Sequence, residues 1–230
     1  MRAIMISHEH RCIFIHIPKC AGTSVETVFG HLDGHQGRGA QDHRSMRMLE
    51  QPWLRFQSFR SRENIEELLR RQKNKYMFQS HNQKNKMELS REQYESYYKF
   101  SIVRDPWDRA LSWYKNVIRD EHHLRQLRVS ADISFKEFMC RFAGKGLLRP
   151  QVYWLKNFAG DVELDHVGKF ENLADDMQRV FNDLGMSNTV LPHKIKGTGS
   201  NNDALMCDET RALISKVYRE DIELFGYANK

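Results

Sequence analysis

The chain has 230 residues, 40% hydrophobic and 29% charged, with a net charge of +6. This length supports one substantial core, so a single domain over residues 1–230 is expected, and the composition excludes disordered and fibrous classes. No apolar stretch approaches the roughly 20 residues of a membrane span, and the polar, His-rich segment Met1–Arg11 does not read as a signal peptide. A soluble, cytoplasmic protein is therefore expected. The positive charge favours polyanionic ligands without separating nucleic acid, nucleotide and sulfated sugar. The basic clusters Arg60–Arg62 and Arg70–Lys75 read as solvated helix faces. Cys12, Cys20, Cys140 and Cys207 show neither paired nor zinc-type spacing, which predicts free thiols and no metal site.

In chain order, Cys12–Ile17 is an apolar run interrupted only by His16, the pattern of a strand buried on both faces of a parallel sheet. Pro18 ends it, and a helix is predicted from about Thr23 to Gly30. Residues 31–41, rich in Gly, His and Gln, read as a mobile loop. A helix over 63–71 places Ile65, Leu68 and Leu69 on one face, and Tyr76-Met77-Phe78 is a second strand candidate ending at Ser80-His81. Ser90 and Gln93 form a capping box for a helix through Tyr98. Lys99–Val103 is the third strand, and the helix after Pro106 turns Ala110, Leu111, Tyr114 and Val117 inward. Ser134 and Glu137 open another helix. Val167–Phe170 reads as a short strand, and Asn172–Gly185 as a helix with a glycine stop. Residues 194–202 read as a polar loop, and a last helix runs from Asp208 to near Phe225. Strand–turn–helix units followed by a helix-rich C-terminal half predict an α/β fold with a central parallel sheet flanked by helices.

Two junctions carry chemistry. Lys19-x-x-Gly22-Thr23-Ser24 lies between strand and helix, where backbone amides and the helix N-terminus favour an anion. It is not a Walker A loop, because the lysine precedes the glycine rather than standing directly before the hydroxyl residue. Arg104, at the end of the third strand, and Ser112, two turns into the next helix, form a second cationic and hydroxyl pair. Both segments, Phe14–Ser24 and Ser101–Ser112, closely resemble the cofactor signature of sulfotransferases that use 3′-phosphoadenosine 5′-phosphosulfate, of the carbohydrate-type family 2. Phe170-Glu171-Asn172-Leu173 resembles a further family segment. Cys20 stands where the family usually has Thr.

The resemblance implies a three-layer, P-loop-like fold and transfer of a sulfuryl group from that donor to a hydroxyl, on a carbohydrate for the most similar members. It implies that Lys19, Ala21, Gly22, Thr23 and Ser24 hold the donor's 5′ side, and that Lys19 meets charge on the leaving phosphate. It further implies that Arg104 and Ser112 hold the 3′-phosphate; separately, Lys194, Lys196, Gly197, Thr198 and Gly199 read either as a lid over the nucleotide, with Lys196 a contact to it, or as a plain surface loop. A base must take the acceptor's proton, and His81, after the second strand candidate, and His43, nearer the first junction, are the candidates. Gly22 would let the backbone approach the anion, with the amides of Gly22, Thr23 and Ser24 pointing at it. His16 reads as a satisfied sheet histidine, Glu171 as architectural, and Asp105, Trp107, Asp108 and Arg109 as shaping the turn. Pro150–Trp154 either lines the acceptor cleft or packs in the core. The alternatives are a nucleotide kinase, which the displaced lysine and missing magnesium-holding acid disfavour, and a basic nucleic-acid-binding module, which the scattered basic residues disfavour.

Overall fold

The computed structural model describes residues 5–34, 41–50, 56–77, 82, 84, 87–191 and 205–228. His81 and Lys196, the loop around residues 194–199, and Phe78 lie outside the described residues.

A four-stranded sheet in the order β1-β2-β3-β4 forms the centre: β1 is Ile6–Ser7, β2 Cys12–Ile15, β3 Tyr98–Val103 and β4 His166–Lys169. β2, β3 and β4 run parallel, with Ile15 opposite Ser101 and Val103 opposite Lys169, while β1 folds back antiparallel on β2. The parallel strands need long crossovers. The first contains α1 (Gly22–Val28), α2 (Met46–Leu49), α3 (Arg62–Met77) and α4 (Arg91–Ser96); the second contains α5 (Pro106–Val117), α6 (Glu121–Leu127), α7 (Phe135–Phe142) and α8 (Gln151–Leu155). After β4 come α9 (Leu173–Asp183), α10 (Asp208–Val217) and α11 (Arg219–Phe225). This is the α/β, P-loop-like fold with a helix-rich C-terminal half that the sequence predicts. No described helix is long and apolar enough to cross a membrane.

The sheet is buried on both faces. Phe14 and Phe100 pack at a tilt across β2 and β3 with ring centroids 5.1 Å apart, and Phe29, just past α1, and Phe181 of α9 extend the cluster. A second core gathers Trp107, Leu111 and Tyr114 of α5 with Phe138 of α7, Ile214 of α10 and Tyr218. The four α5 residues predicted to face inward are all buried. The Ser90 and Gln93 capping box is complete, with Ser90 Oγ accepting from the Gln93 amide and Gln93 Oε1 accepting from the Ser90 amide. Gly185, with φ of +71°, follows α9 in the left-handed conformation that glycine permits. All four cysteines are free thiols.

Several expectations are corrected. Residues 76 and 77 belong to the last turn of α3, not to a strand. The spacing Ile65, Leu69, Tyr76 continues a helical period, and an apolar triplet is too short to separate the two structures by pattern. α3 also does not bury the expected face. Ile65 and Leu69 are exposed, and among the described side chains of α3 the buried ones are Asn64 and Glu67. Asn64 Nδ2 donates to the Phe158 carbonyl at 2.9 Å, and Glu67 accepts from Ser45 and Tyr153 hydroxyls, so α3 docks through polar contacts. Arg70 and Arg71 are not merely solvated: Arg70 Nη2 donates to the His43 carbonyl at 3.0 Å, and Arg71 Nη1 to the Glu50 carbonyl at 2.9 Å. Arg60 and Arg62 are exposed as expected. His31, assigned to a mobile loop, is fully buried, with Nδ1 accepting from the Met5 amide at 3.1 Å. The last predicted helix is divided at Tyr218 into α10 and α11.

Candidate functional site

The loops that leave the carboxyl ends of β2 and β3 lie side by side, the edge at which open parallel sheets bind ligands. In the first, Lys19 has φ of +70° and Ala21 φ of +61°, a left-handed conformation that costs energy for residues with a Cβ. Ala21 is the N-cap of α1 and offers no side-chain acceptor. The first-turn amides of a helix have no preceding carbonyl within it, which leaves those of Gly22 and Thr23 as donors that an anion could take. Ser24 differs from expectation: its amide donates to the Ala21 carbonyl at 2.9 Å and its side chain is buried. Gly22 is required for a reason other than ligand approach. A Cβ there would lie 1.9 Å from Cδ2 of His16, so the helix can start here only because the residue has no side chain.

Cys20 turns into the interior. Its thiol is buried and donates to Gln151 Oε1 at 3.4 Å, and burial pushes it up to about 12. The departure from the usual Thr therefore leaves the loop's outward face unchanged. Lys19 Nζ donates to Asn116 Oδ1 of α5 at 3.3 Å. Burial, then the neighbouring Arg104, lowers the lysine's pKa, an environment in which an added negative charge is favoured.

The second loop holds Arg104. Its guanidinium lies 4.0 Å over the Phe170 ring, and Nη1 donates to the Lys19 carbonyl at 3.3 Å. Its Nε–H is buried with no hydrogen-bond partner among the described residues. Such a donor is costly to leave unmet, and an anion oxygen would satisfy it. Asp105 caps α5, accepting from the amides of Trp107 at 2.9 Å and Asp108 at 3.1 Å, with Pro106 at the first helical position. Ser112 sits two turns along α5, half-buried, as predicted. Arg109 is buried and donates to the carbonyls of Pro18, Arg149 and Leu147 at 3.1, 3.0 and 2.7 Å. Glu171 accepts from the Asp105 amide at 2.8 Å and from Tyr227 Oη at 3.2 Å. Both are architectural, as the sequence reading has them. Tyr153 and Trp154 are buried in the core.

Beneath the first loop lies a buried titratable cluster. His16 Nδ1 donates to Glu26 Oε1 at 2.9 Å, and the Asp42 amide donates to the same oxygen at 3.1 Å. His43 packs on His16 with ring centroids 4.3 Å apart, and its Nδ1 donates to the His16 carbonyl at 3.3 Å. A carbonyl only accepts, so that contact puts the proton on Nδ1 and leaves Nε2 with the lone pair. Burial takes both imidazoles down to about 3 and Glu26 up to about 7, so the histidines are neutral at physiological pH. His43 keeps part of its surface open.

The structure thus brings Lys19, Ala21, Gly22, Thr23 and Arg104 together, with Ser112 on the adjoining helix and His43 under the first loop. Asn116 escapes the sequence reading, and Gln151 enters it only within Pro150–Trp154, without its bonds to Arg104 and Cys20. Asn116 is four residues beyond Ser112, on the same face of α5, so helical spacing could have found it. Gln151 reaches the site from a distant crossover, and no local pattern marks it.

Comparison with curated proteins and with solved structures gives no match. The family model described as the sulfotransferase family matches residues 2–228. With both strand–helix junctions on the carboxyl edge of a parallel sheet and that match running along nearly the whole chain, the protein belongs to the sulfotransferase family and is a transferase of sulfuryl groups.

Proposed function

We propose that the protein transfers a sulfuryl group from 3′-phosphoadenosine 5′-phosphosulfate to a hydroxyl of a carbohydrate. The observation that carries the donor is the pairing of Arg104, with its unmet buried Nε–H, and the Lys19 loop across one short gap. Two anion-binding junctions suit a nucleotide with phosphate on both sides of one nucleoside. Bound, the donor supplies an activated sulfuryl group and a bisphosphate leaving group.

The chain's own residues then divide the work. The Gly22 and Thr23 amides and Lys19 hold the 5′ side, and Lys19 meets negative charge as it grows, which acts on the transition state more than on binding. Arg104 and Ser112 hold the 3′-phosphate. A histidine takes the acceptor's proton. His43 is supported by its place beside the loop and the Nε2 lone pair, while burial, taking it down to about 3, counts against its strength as a base; His81 is supported by the resemblance alone, since the strand expected before it is helical at residues 76 and 77. The positive net charge and the resemblance support an anionic glycan as acceptor.

Thermal unfolding with nucleotides tests the donor reading. A ligand that binds only the native state at about 100 times its dissociation constant adds roughly 2.7 kcal/mol. For a chain of this size that raises Tm by roughly 5–10 °C. Adenosine 3′,5′-bisphosphate should produce this shift without magnesium, and AMP or magnesium-ATP much less. Equal shifts with the bisphosphate and AMP would contradict the role of Arg104 and Ser112.

A further inference from the structure

We propose that Gln151 is a positioning residue that couples the two anion-binding junctions, fixing the Arg104 backbone against the Lys19 loop so that the guanidinium meets the 3′-phosphate. This rests on the donor reading above. Gln151 is the first residue of α8 and is completely buried. Its Oε1 accepts from the Arg104 amide at 2.8 Å and from the Cys20 thiol at 3.4 Å, and its Nε2 donates to the Arg104 carbonyl at 2.8 Å. One side chain therefore holds both backbone polar groups of the arginine and, through the same oxygen, the loop that carries Lys19.

The chemistry is specific to a carboxamide. Holding an amide and the carbonyl of the same residue needs an acceptor and a donor on one planar group. An ionised carboxylate accepts but cannot donate, and an aliphatic chain does neither. The glutamine is itself anchored: its amide donates to Asp221 Oδ2 at 2.7 Å, and the Val152 amide to Asp221 Oδ1 at 2.9 Å. Asp221 is also completely buried, in α11. The line of contacts runs from α11 through the start of α8 to Arg104 and Cys20, and none of these side chains needs to touch a ligand. A residue that held only the general fold would affect binding of every nucleotide alike. A residue that aims Arg104 should affect only those carrying a 3′-phosphate.

The test is calorimetric affinity for adenosine 3′,5′-bisphosphate and for AMP, in the wild type and in Gln151→Glu, a near-isosteric change that removes the donor. Charge-assisted contacts to the second phosphate predict a wild-type preference for the bisphosphate on the order of 10²-fold. In Gln151→Glu that preference should fall about tenfold or more, with AMP affinity kept within about threefold. A variant that keeps the full preference, or loses affinity for both nucleotides equally, overturns the proposal. A wild type without preference overturns the donor reading instead. Where Gln151→Glu does not fold, Asp221→Asn, which leaves the carboxamide in place and weakens its anchor, is read by the same ratio. A severalfold drop supports the coupling, and an unchanged ratio overturns it.

Discussion

Lys19 and Arg104 reach one site from loops that are far apart in the chain, and each is restrained before any ligand arrives, by Asn116 and by the Phe170 ring. His16, His43 and Glu26 beneath them are a different kind of feature: titratable groups whose charged forms burial disfavours. The sign of their pH dependence follows from linkage. Glutamate ionises near 4.5 when unfolded, whereas Glu26 in the fold ionises at about 7. Between those values the folded state binds the extra proton, so rising pH withdraws stability across that window and the loss levels off above it. His16 and His43, taken down to about 3 from 6.5, act in the opposite direction between those values. Subtracting the wild-type Tm from that of Glu26→Gln should isolate the glutamate, and the difference should grow from pH 4.5 to 7 and then flatten. A difference constant with pH would show that Glu26 is ionised throughout. The acceptor's base is decided by kinetics of His43→Ala and His81→Ala. One of them should lower kcat on the order of 10²–10⁴-fold with nucleotide affinity unchanged; if neither does, the base is neither of these two histidines.

Among the elements, α5 does the most to tie the site to the core. Its N-terminus is capped by Asp105, its buried face packs into the second core, and Arg109 reaches back to the Pro18 carbonyl at the head of the first loop. Arg109→Met would keep the unbranched apolar stem but leave three carbonyls without their charged donor, costing about 3 kcal/mol or more in urea unfolding. A change below about 1 kcal/mol would mean that those carbonyls find other partners. The sequence made α5 legible because cap, proline and apolar period all agree. It made the β2 and β3 junctions legible for the same reason, with strand, breaker and helix start in immediate succession. β1 escaped because two residues carry no period, and α3 was misread because its docking face is polar, held by Asn64 and Glu67 rather than by Ile65 and Leu69. At Gly22 the sequence shows the turn but not the second demand for glycine, which comes from His16 below it. Long-range polar contacts such as those of Gln151 leave no periodic trace.

At the scale of the whole molecule, the parallel strands β2 and β3 deliver both junctions to one edge, and the crossovers between them supply what fixes each. His43 comes from the first crossover, and Gln151 from the second. The site is thus assembled from both crossovers, as expected where binding residues sit on loops above a rigid sheet. The central claim is transfer of a sulfuryl group, and the most direct measurement follows sulfur itself. The protein would be incubated with 3′-phosphoadenosine 5′-phosphosulfate radiolabelled in the sulfate and a panel of desulfated glycans, with Lys19→Ala alongside. The account predicts label on at least one glycan, one equivalent of adenosine 3′,5′-bisphosphate released per label transferred, and a loss in kcat on the order of 10²–10³-fold in Lys19→Ala with little change in donor KM. Equal transfer by wild type and Lys19→Ala, or a variant that shows only a raised donor KM, would contradict it.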